Sequence, residues 1–188
     1  MTEGFKWDME ADVVVLGSGG AALTAAISAH DFGARDVVTL EKSGMVGGTT
    51  AMSGGMLWIP NNHHQREAGI DESDDDIVAY LDACAPGQLD PDTLGAFMEG
   101  GPEMVRYLAD KTPVRLHAWT DFPDYQPYMP GAKPDGGRSL DNDAFSFERL
   151  GKWAARVNPS KMAYPLRGSL VEAVRGTLDE DTLAERER

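Results

Sequence analysis

Small residues at fixed spacing, followed by a carboxylate, are the first feature of this sequence with a clear chemical use. Gly17, Gly19 and Ala22 match the pattern G-x-G-x-x-G/A, and Glu41 follows about 20 residues later. Gly17 permits a tight turn, Gly19 lets the backbone approach a pyrophosphate, and Ala22 allows a helix to pack closely on a strand. The Glu41 carboxylate can accept hydrogen bonds from a ribose 2′-OH and would repel a 2′-phosphate. The spacing therefore predicts a dinucleotide site.

The elements around these residues support that prediction. Residues 12–16 form an apolar, β-branched run, which predicts a parallel strand buried on both faces in the middle of a sheet. A helix is predicted over residues 23–32, with Gly33 as a left-handed cap, and a second strand over residues 37–40. An ordinary glycine-rich turn is the alternative, but the order strand, turn, helix, strand and acid disfavours it. The helix dipole and unpaired N–H groups meet the phosphate charge, so no lysine is needed there.

A second glycine-rich segment, residues 44–58, follows the acid directly and decides which dinucleotide is expected. A nicotinamide domain has no evident use for it. An extended FAD would use closely approaching glycines, with Thr and Ser hydroxyls as donors. We therefore predict FAD as the cofactor. The predicted cofactor contacts are Gly17, Ser18, Gly19, Gly20, Ala21, Ala22, Glu41, Lys42, Gly47, Gly48, Thr49, Thr50, Ser53, Gly54 and Gly55.

Four stretches of this sequence resemble those of a known family. The sequence resembles the FAD-dependent fumarate reductase/succinate dehydrogenase flavoprotein superfamily and, within it, the 3-ketosteroid (3-oxosteroid) 1-dehydrogenases. The resemblance covers residues from about 12 to about 151 and rests on four stretches: Glu41–Lys42 with Gly47–Thr50, Ser53–Gly55, Trp58–Pro60, and Phe122–Tyr125, which reads Phe-Pro-Asp-Tyr.

The resemblance implies an FAD-dependent oxidoreductase that acts on CH–CH groups. A tyrosinate would remove a proton beside a ketone while a hydride leaves the next carbon for the flavin. Tyr125 matches a tyrosine that supports this base, and it is the catalytic residue we predict. Gln126 and Tyr128 depart from the family's tyrosine-doubled motif, so the substrate, a 3-ketosteroid or a similar flat ketone, stays open. Reduction of an enone or a fumarate-like acid is the alternative, and the electron acceptor is not indicated.

The middle of the chain reads as helices and one irregular loop. Ser73 is expected to cap a helix that runs through Cys84. Asp90 is expected to cap a second helix, which ends at the glycine pair 100–101, and Pro102 begins a helix again. Residues 114–119 alternate weakly and predict a strand. Residues 120–138 combine prolines with aromatic residues and cannot form regular structure. They could form a surface loop or a rigid aromatic wall beside a flat substrate, and the resemblance favours the wall.

Composition excludes several classes of function. A net charge of −14 disfavours nucleic acid and anionic lipid as partners. No apolar run approaches the roughly 18 residues of a spanning helix, and no signal peptide is evident, so a cytoplasmic protein is expected. The single cysteine, Cys84, allows no internal disulfide. Adjacent His63 and His64 share no face and lack further ligands, so we predict a loop without a metal.

The predicted fold class is α/β, with a Rossmann-like FAD-binding domain that is incomplete at its C-terminus. We assign a nucleotide hook to residues 12–60, a helical and loop insertion to 61–151, and a polar tail to about 177–188. Only two strands are convincing, whereas a doubly wound sheet needs about five or six. The chain alone is therefore expected to be inactive. The alternative function is an FAD-binding fragment without any catalytic role.

Overall fold

The computed structural model of the chain describes residues 6–143 and 145–159, which fall into two units. The first unit contains the chain up to Gly54 and a return segment that begins at Ser146, and the second runs from Gly55 to Phe145. Both units mix helices and strands, as the predicted α/β class requires. The polar tail predicted at residues 177–188 lies outside the described residues.

The first unit is built on a strand–helix–strand repeat. Strand β1 (Val13–Leu16), helix α1 (Gly20–Asp31) and strand β2 (Val37–Leu40) follow in order. The strands are parallel, with Val13 opposite Val37, and α1 packs against both. Gly33 ends α1 at a φ of 105°, which confirms the left-handed cap. A short helix α2 (Gly48–Met52) and a 3₁₀ segment (Phe147–Arg156) complete the unit.

The burial predicted for β1 on both faces is wrong for the part of the chain that the structure describes. The sheet of the first unit has two strands, and Val14 and Leu16 are 54% and 78% exposed. Only Val15 of this strand is buried, because side chains alternate and α1 covers one face. An apolar run specifies a strand that can be buried on both faces, but it does not supply the elements that cover it.

The second unit packs three helices against a small antiparallel sheet. The helices are α3 (His63–Glu67), α4 (Asp74–Cys84) and α5 (Pro91–Lys111), and the strands are β3 (Leu57–Trp58), β4 (Leu116–Ala118) and β5 (Ser139–Asn142). Strand β5 lies between β3 and β4. The buried core contains Ile59, Val105, Leu116 and Leu140, with Phe97 and Met104 packed against it.

Side-chain caps start the helices of this unit where the sequence predicts. The Ser73 hydroxyl accepts a hydrogen bond from the Asp76 N–H at 3.2 Å, and the Asp90 carboxylate accepts one from the Thr93 N–H at 2.8 Å. The loop predicted at His63 and His64 is wrong, since both lie in the first turn of α3. The Asn62 side chain caps that helix by accepting from the Gln65 N–H at 2.9 Å.

The predicted break after Gly100 is also wrong, because α5 continues through Pro102 to Lys111. Proline removes one helical hydrogen bond, and this cost must be offset by packing. Gly101, Val105 and Leu108 are buried, and a Cβ at Gly101 would lie 3.1 Å from the Ile59 side chain. Close contact of α5 with the core therefore outweighs the tendency of the glycine pair and Pro102 to end the helix.

Among the described residues, no helix has both the length and the apolar character required to cross a membrane.

Two glycines with left-handed backbone allow a test of how tightly the irregular loop is packed. Gly131 and Gly69 have φ values of 69° and 76°. A Cβ at Gly131 would collide with the Asp76 carbonyl oxygen, whereas one at Gly69 meets nothing within 4 Å. Gly69→Ala should cost about 1 kcal/mol of unfolding free energy from backbone strain alone. Gly131→Ala should cost roughly 1–3 kcal/mol more, because it adds a steric overlap. Urea unfolding of both variants measures the difference, and equal losses would show that the loop has room at Gly131.

Candidate functional site

A cleft of about 560 Å³ opens in the first unit where β1 and β2 end. Several residues singled out by the sequence line it together, although they are far apart along the chain. Ligands of open α/β sheets bind at the carboxyl ends of the strands, so this is the expected position. The lining residues are Leu16, Gly17, Ser18, Gly19, Leu40, Glu41, Lys42 and Gly48.

Ser18 links the first glycine turn to the acid and to the second glycine-rich segment. Its hydroxyl donates to Glu41 Oε2 at 2.5 Å and accepts from the Gly47 N–H at 2.9 Å. The other Glu41 oxygen accepts from the Ser43 N–H at 3.0 Å. The Ser18 hydroxyl, followed by the Ser43 N–H, lowers the pKa of Glu41 below its ordinary value of 4.5. Glu41 is therefore ionised at neutral pH and acts as an acceptor on the cleft wall.

The second glycine-rich segment packs directly on the first. The Thr50 hydroxyl oxygen accepts from the Gly20 N–H at 3.0 Å, which caps α1 from 30 residues away. This contact compensates for Gly19, the N-cap of α1, which has no side chain to offer. Gly48 lies so close that a Cβ there would be 3.4 Å from the Gly19 Cα. The turn and the second segment thus form one folded structure.

Within the glycine turn, the structure does not itself require glycine at position 19. Its φ of −72° and ψ of 174° suit any residue, and a Cβ would meet its nearest neighbour, Thr50 Oγ1, at an ordinary 3.6 Å. Gly17 differs, because its φ of 95° requires glycine. A Cβ at Gly19 would therefore cause neither backbone strain nor crowding within the protein, and Gly19 lines the cleft. This fits a position kept small for a bound phosphate group.

The remaining predicted contacts lie outside the lining of the cleft. Ala21 and Ala22 are in the first turn of α1, and Thr49 and Thr50 are in α2. The Ser53 hydroxyl donates to the Thr50 carbonyl oxygen at 2.9 Å. Gly54 ends the first stretch of the first unit, and Gly55 begins the second unit. The structure therefore brings the glycine turn, Glu41, Lys42 and Gly48 together in one cleft, and the cofactor-binding role of every predicted contact stays a prediction.

The aromatic loop of the second unit holds Tyr125 at the protein surface. Residues 120–138 contain no helix or strand, as predicted. The Tyr125 side chain is 81% exposed and meets the Phe122 ring edge-on, with 6.2 Å between centroids. Phe122 in turn stacks on the buried Trp119 ring at 4.3 Å. Tyr125 thus contributes little to a core, and most of its ring is available for contact.

A buried ionic network lies below this loop, and no pattern in the sequence indicated it. The Arg138 side chain is fully buried, with Nε 2.6 Å from Glu72 Oε2 and Nη1 2.7 Å from Asp124 Oδ2. Its Nη2 donates to the Gly131 carbonyl oxygen at 2.8 Å. The guanidinium lies 5.4 Å from the Trp58 ring centroid and 5.2 Å from that of Tyr80. We refer to Glu72, Asp124 and Arg138 as the ionic cluster.

The ionic cluster connects two of the four stretches on which the family resemblance rests. Trp58 Nε1 donates to Asp124 Oδ1 at 2.7 Å, which joins the Trp-Ile-Pro run to the Phe-Pro-Asp-Tyr motif. The sequence showed both motifs without indicating that they touch. Arg138 gave no signal beyond being a charged residue next to two glycines, because its burial depends on partners 14 and 66 residues away.

Comparison with known proteins gives consistent matches. A family described as FAD binding domain matches residues 12–180. The chain is 44% identical over 147 residues to 4-oxocyclohexanecarboxylate 2-dehydrogenase of Sinomonas cyclohexanicum, which covers 78% of this chain and 25% of that protein. It is 36% identical over 157 residues to 3-oxosteroid 1-dehydrogenase of Mycobacterium tuberculosis H37Rv, which covers 84% of this chain and 28% of that protein.

A solved structure agrees with these matches. The structure is the 3-ketosteroid Δ1-dehydrogenase of Sterolibacterium denitrificans in complex with 1,4-androstadiene-3,17-dione. It aligns with a TM-score of 0.74 and 39% identity, over 82% of this chain and 26% of that one. The chain therefore spans about a quarter of the length of the relatives described here.

Blocking the cleft at Gly19 should remove nucleotide binding without disturbing the fold. Gly19 lines the cleft and a Cβ there makes only ordinary contacts, so we expect Gly19→Val to abolish FAD binding in calorimetry while the unfolding midpoint stays close to that of the unmodified chain. Gly95→Val is the matched control, because Gly95 also has open space around its missing Cβ but lies on α5. FAD binding by Gly19→Val as tight as that of the control would contradict this role.

The Ser18–Glu41 bond should make stability depend on pH in a defined direction. Because the folded pKa of Glu41 is lowered, its contribution is complete above the unfolded value near 4.5 and is lost as pH falls through the folded pKa. Ser18→Ala should raise the pKa of Glu41 and reduce this acid-dependent loss, and Glu41→Gln should abolish it. Urea unfolding across this range measures the effect. An unchanged pH slope in Glu41→Gln would show that other carboxylates produce it.

Proposed function

Because the chain belongs to the FAD-binding domain family, we propose that it forms the cofactor-binding part of an FAD-dependent dehydrogenase that acts next to the ketone of a cyclic substrate. The observation that carries the proposal is the cleft, which Gly19, with no side chain, and the ionised Glu41 both line. The first named relative and the steroid dehydrogenases share, in their names, an oxo group on a ring compound. A flat cyclic ketone, including a 3-ketosteroid, is therefore the proposed substrate class.

The residues of the first unit have defined tasks in this proposal. The turn at Gly17 and Gly19 and the N-terminus of α1 would receive the pyrophosphate, where the helix dipole favours negative charge. Glu41 would accept hydrogen bonds from the ribose hydroxyls. The further contacts that we propose are Ser18, Gly20, Ala21, Ala22, Lys42, Gly47, Gly48, Thr49, Thr50, Ser53, Gly54 and Gly55. When bound, FAD supplies a flavin ring that accepts a hydride.

Tyr125 is the catalytic residue of this proposal. In the reaction, a proton leaves the carbon beside the ketone, a hydride leaves the next carbon, and the electron pair that remains forms a carbon–carbon double bond. Tyr125 would support the tyrosinate that takes the proton. Its exposure of 81% supports this role, because a tyrosine in the core would bury its ring.

The chain alone is proposed to bind FAD without completing the reaction. It spans about a quarter of its relatives, and the family resemblance places the base in a later part of a longer chain. The visible spectrum of purified protein mixed with FAD should show bound flavin. Protein, FAD, a 3-ketosteroid or 4-oxocyclohexanecarboxylate, and an artificial electron acceptor should give no substrate-dependent acceptor reduction. Steady reduction that is lost in Tyr125→Phe would show a complete site instead, and binding of NAD but not FAD would refute the cofactor.

Tyr125→Phe should separate catalysis from cofactor binding in a full-length relative that carries this chain's 119–138 loop. We expect turnover to fall by about 10²-fold or more, on the scale of general acid–base catalysis, with flavin content unchanged. Tyr128→Phe is the matched control, since Tyr128 lies in the same loop and is 100% exposed. Equal turnover in the two variants would make Tyr125 a surface residue without a catalytic role.

A further inference from the structure

The backbone on both sides of Tyr125 is held by buried groups. The Asp124 N–H donates to the Lys133 carbonyl oxygen at 3.2 Å, and the Lys133 N–H donates to Asp124 Oδ2 at 2.8 Å. On the other side, the Gln126 N–H donates to the Tyr80 hydroxyl at 3.3 Å. Burial raises the pKa of Tyr80 to about 12, so this hydroxyl stays protonated at neutral pH. Tyr125 is therefore an exposed ring on a fixed stretch of backbone.

Asp124 keeps its position because its charge is matched inside the protein. Its carboxylate is 2% exposed and receives Arg138 Nη1 on one oxygen and Trp58 Nε1 on the other. Glu72, the second carboxylate of the ionic cluster, is fully buried and accepts from the Asn61 N–H and Gln65 Nε2, each at 2.9 Å. Without the guanidinium, two buried carboxylates would repel each other with no cation between them, and burying such charges is strongly unfavourable.

The position of the Tyr125 ring depends on this backbone rather than on packing. Its ring meets the Phe122 ring edge-on, and most of its surface faces solvent. A change at Asp124 is therefore passed to Tyr125 through the peptide bond they share. We infer that Arg138 is a positioning residue for Tyr125 and acts through Asp124. The consequence for catalysis rests on the proposed function, whereas the structural link between Arg138 and Tyr125 does not.

Fluorine NMR of the chain labelled with 3-fluorotyrosine tests the link without flavin or substrate. The Tyr125 and Tyr107 resonances are identified by their loss in Tyr125→Phe and Tyr107→Phe. Arg138→Lys keeps the positive charge but lacks the planar fork that reaches both carboxylates, and Asp124→Asn removes the charge that Arg138 holds. Both variants should shift and broaden the Tyr125 resonance while that of Tyr107, on α5, stays in place. Arg115→Lys is the matched control, since Arg115 donates to backbone carbonyls at the end of α5 and should leave Tyr125 unchanged.

The outcomes separate positioning from general stability. An unshifted Tyr125 resonance in Arg138→Lys and Asp124→Asn overturns the inference. Equal shifts at Tyr107 and Tyr125 also overturn it, because they show a role in the whole unit rather than at one loop. If the shift appears while full-length turnover is unaffected by Tyr125→Phe, the positioning link stands and the proposed function fails. If the Tyr125 resonance does not shift while Tyr125→Phe lowers full-length turnover, Arg138 has no positioning role and the proposed function stands.

Discussion

Burying the Arg138 guanidinium requires that its charge be matched inside the protein, because an unpaired buried ion is very costly. Glu72 and Asp124 supply the match, and the Gly131 carbonyl oxygen takes a further N–H. Glu72, Asp124 and Gly131 all lie outside the helices and strands. Removing one partner of a buried pair typically costs about 3–5 kcal/mol. The loop over residues 119–138 can thus keep one conformation although it has no regular structure.

In the first unit, neutral and anionic side chains also join separate segments of the chain, through single hydrogen bonds. The Asp12 carboxylate accepts from the Asp36 and Arg35 N–H groups, which lower its pKa in that order and join the end of the α1–β2 connection to the start of β1. The Ser18 and Thr50 side chains join the two glycine-rich segments, since each accepts a hydrogen bond from a backbone N–H of the other segment. Backbone groups that a turn leaves unpaired are satisfied by side chains from other segments. These contacts hold together the segments that surround the cleft.

The sequence predicted those structural features that depend on residues close together in the chain. The strands around α1, the Gly33 cap and the caps at Ser73 and Asp90 follow from residue chemistry within a few positions. Strands β3 and β5 were missed because two residues carry no periodicity and Ser-Leu-Asp-Asn is too polar to indicate a strand. The G-x-G-x-x-A spacing located the cleft, but not the contact of Ser18 with Gly47. Pro102 and Arg138 are decided by burial against residues distant in the sequence, which no local pattern encodes.

The separation of bonded partners along the chain also bears on how the protein forms during synthesis. In the first unit, the hydrogen bonds of Ser18 with Glu41 and Gly20 with Thr50 join residues 23 and 30 positions apart. In the second, Glu72 with Arg138 and Trp58 with Asp124 are each 66 apart. Long-range contacts form slowly, and a chain emerges from the ribosome at about 5–20 residues per second. Glu72 and Asp124 are therefore made before their cationic partner, and their carboxylates cannot pair with Arg138 until that residue has been synthesised.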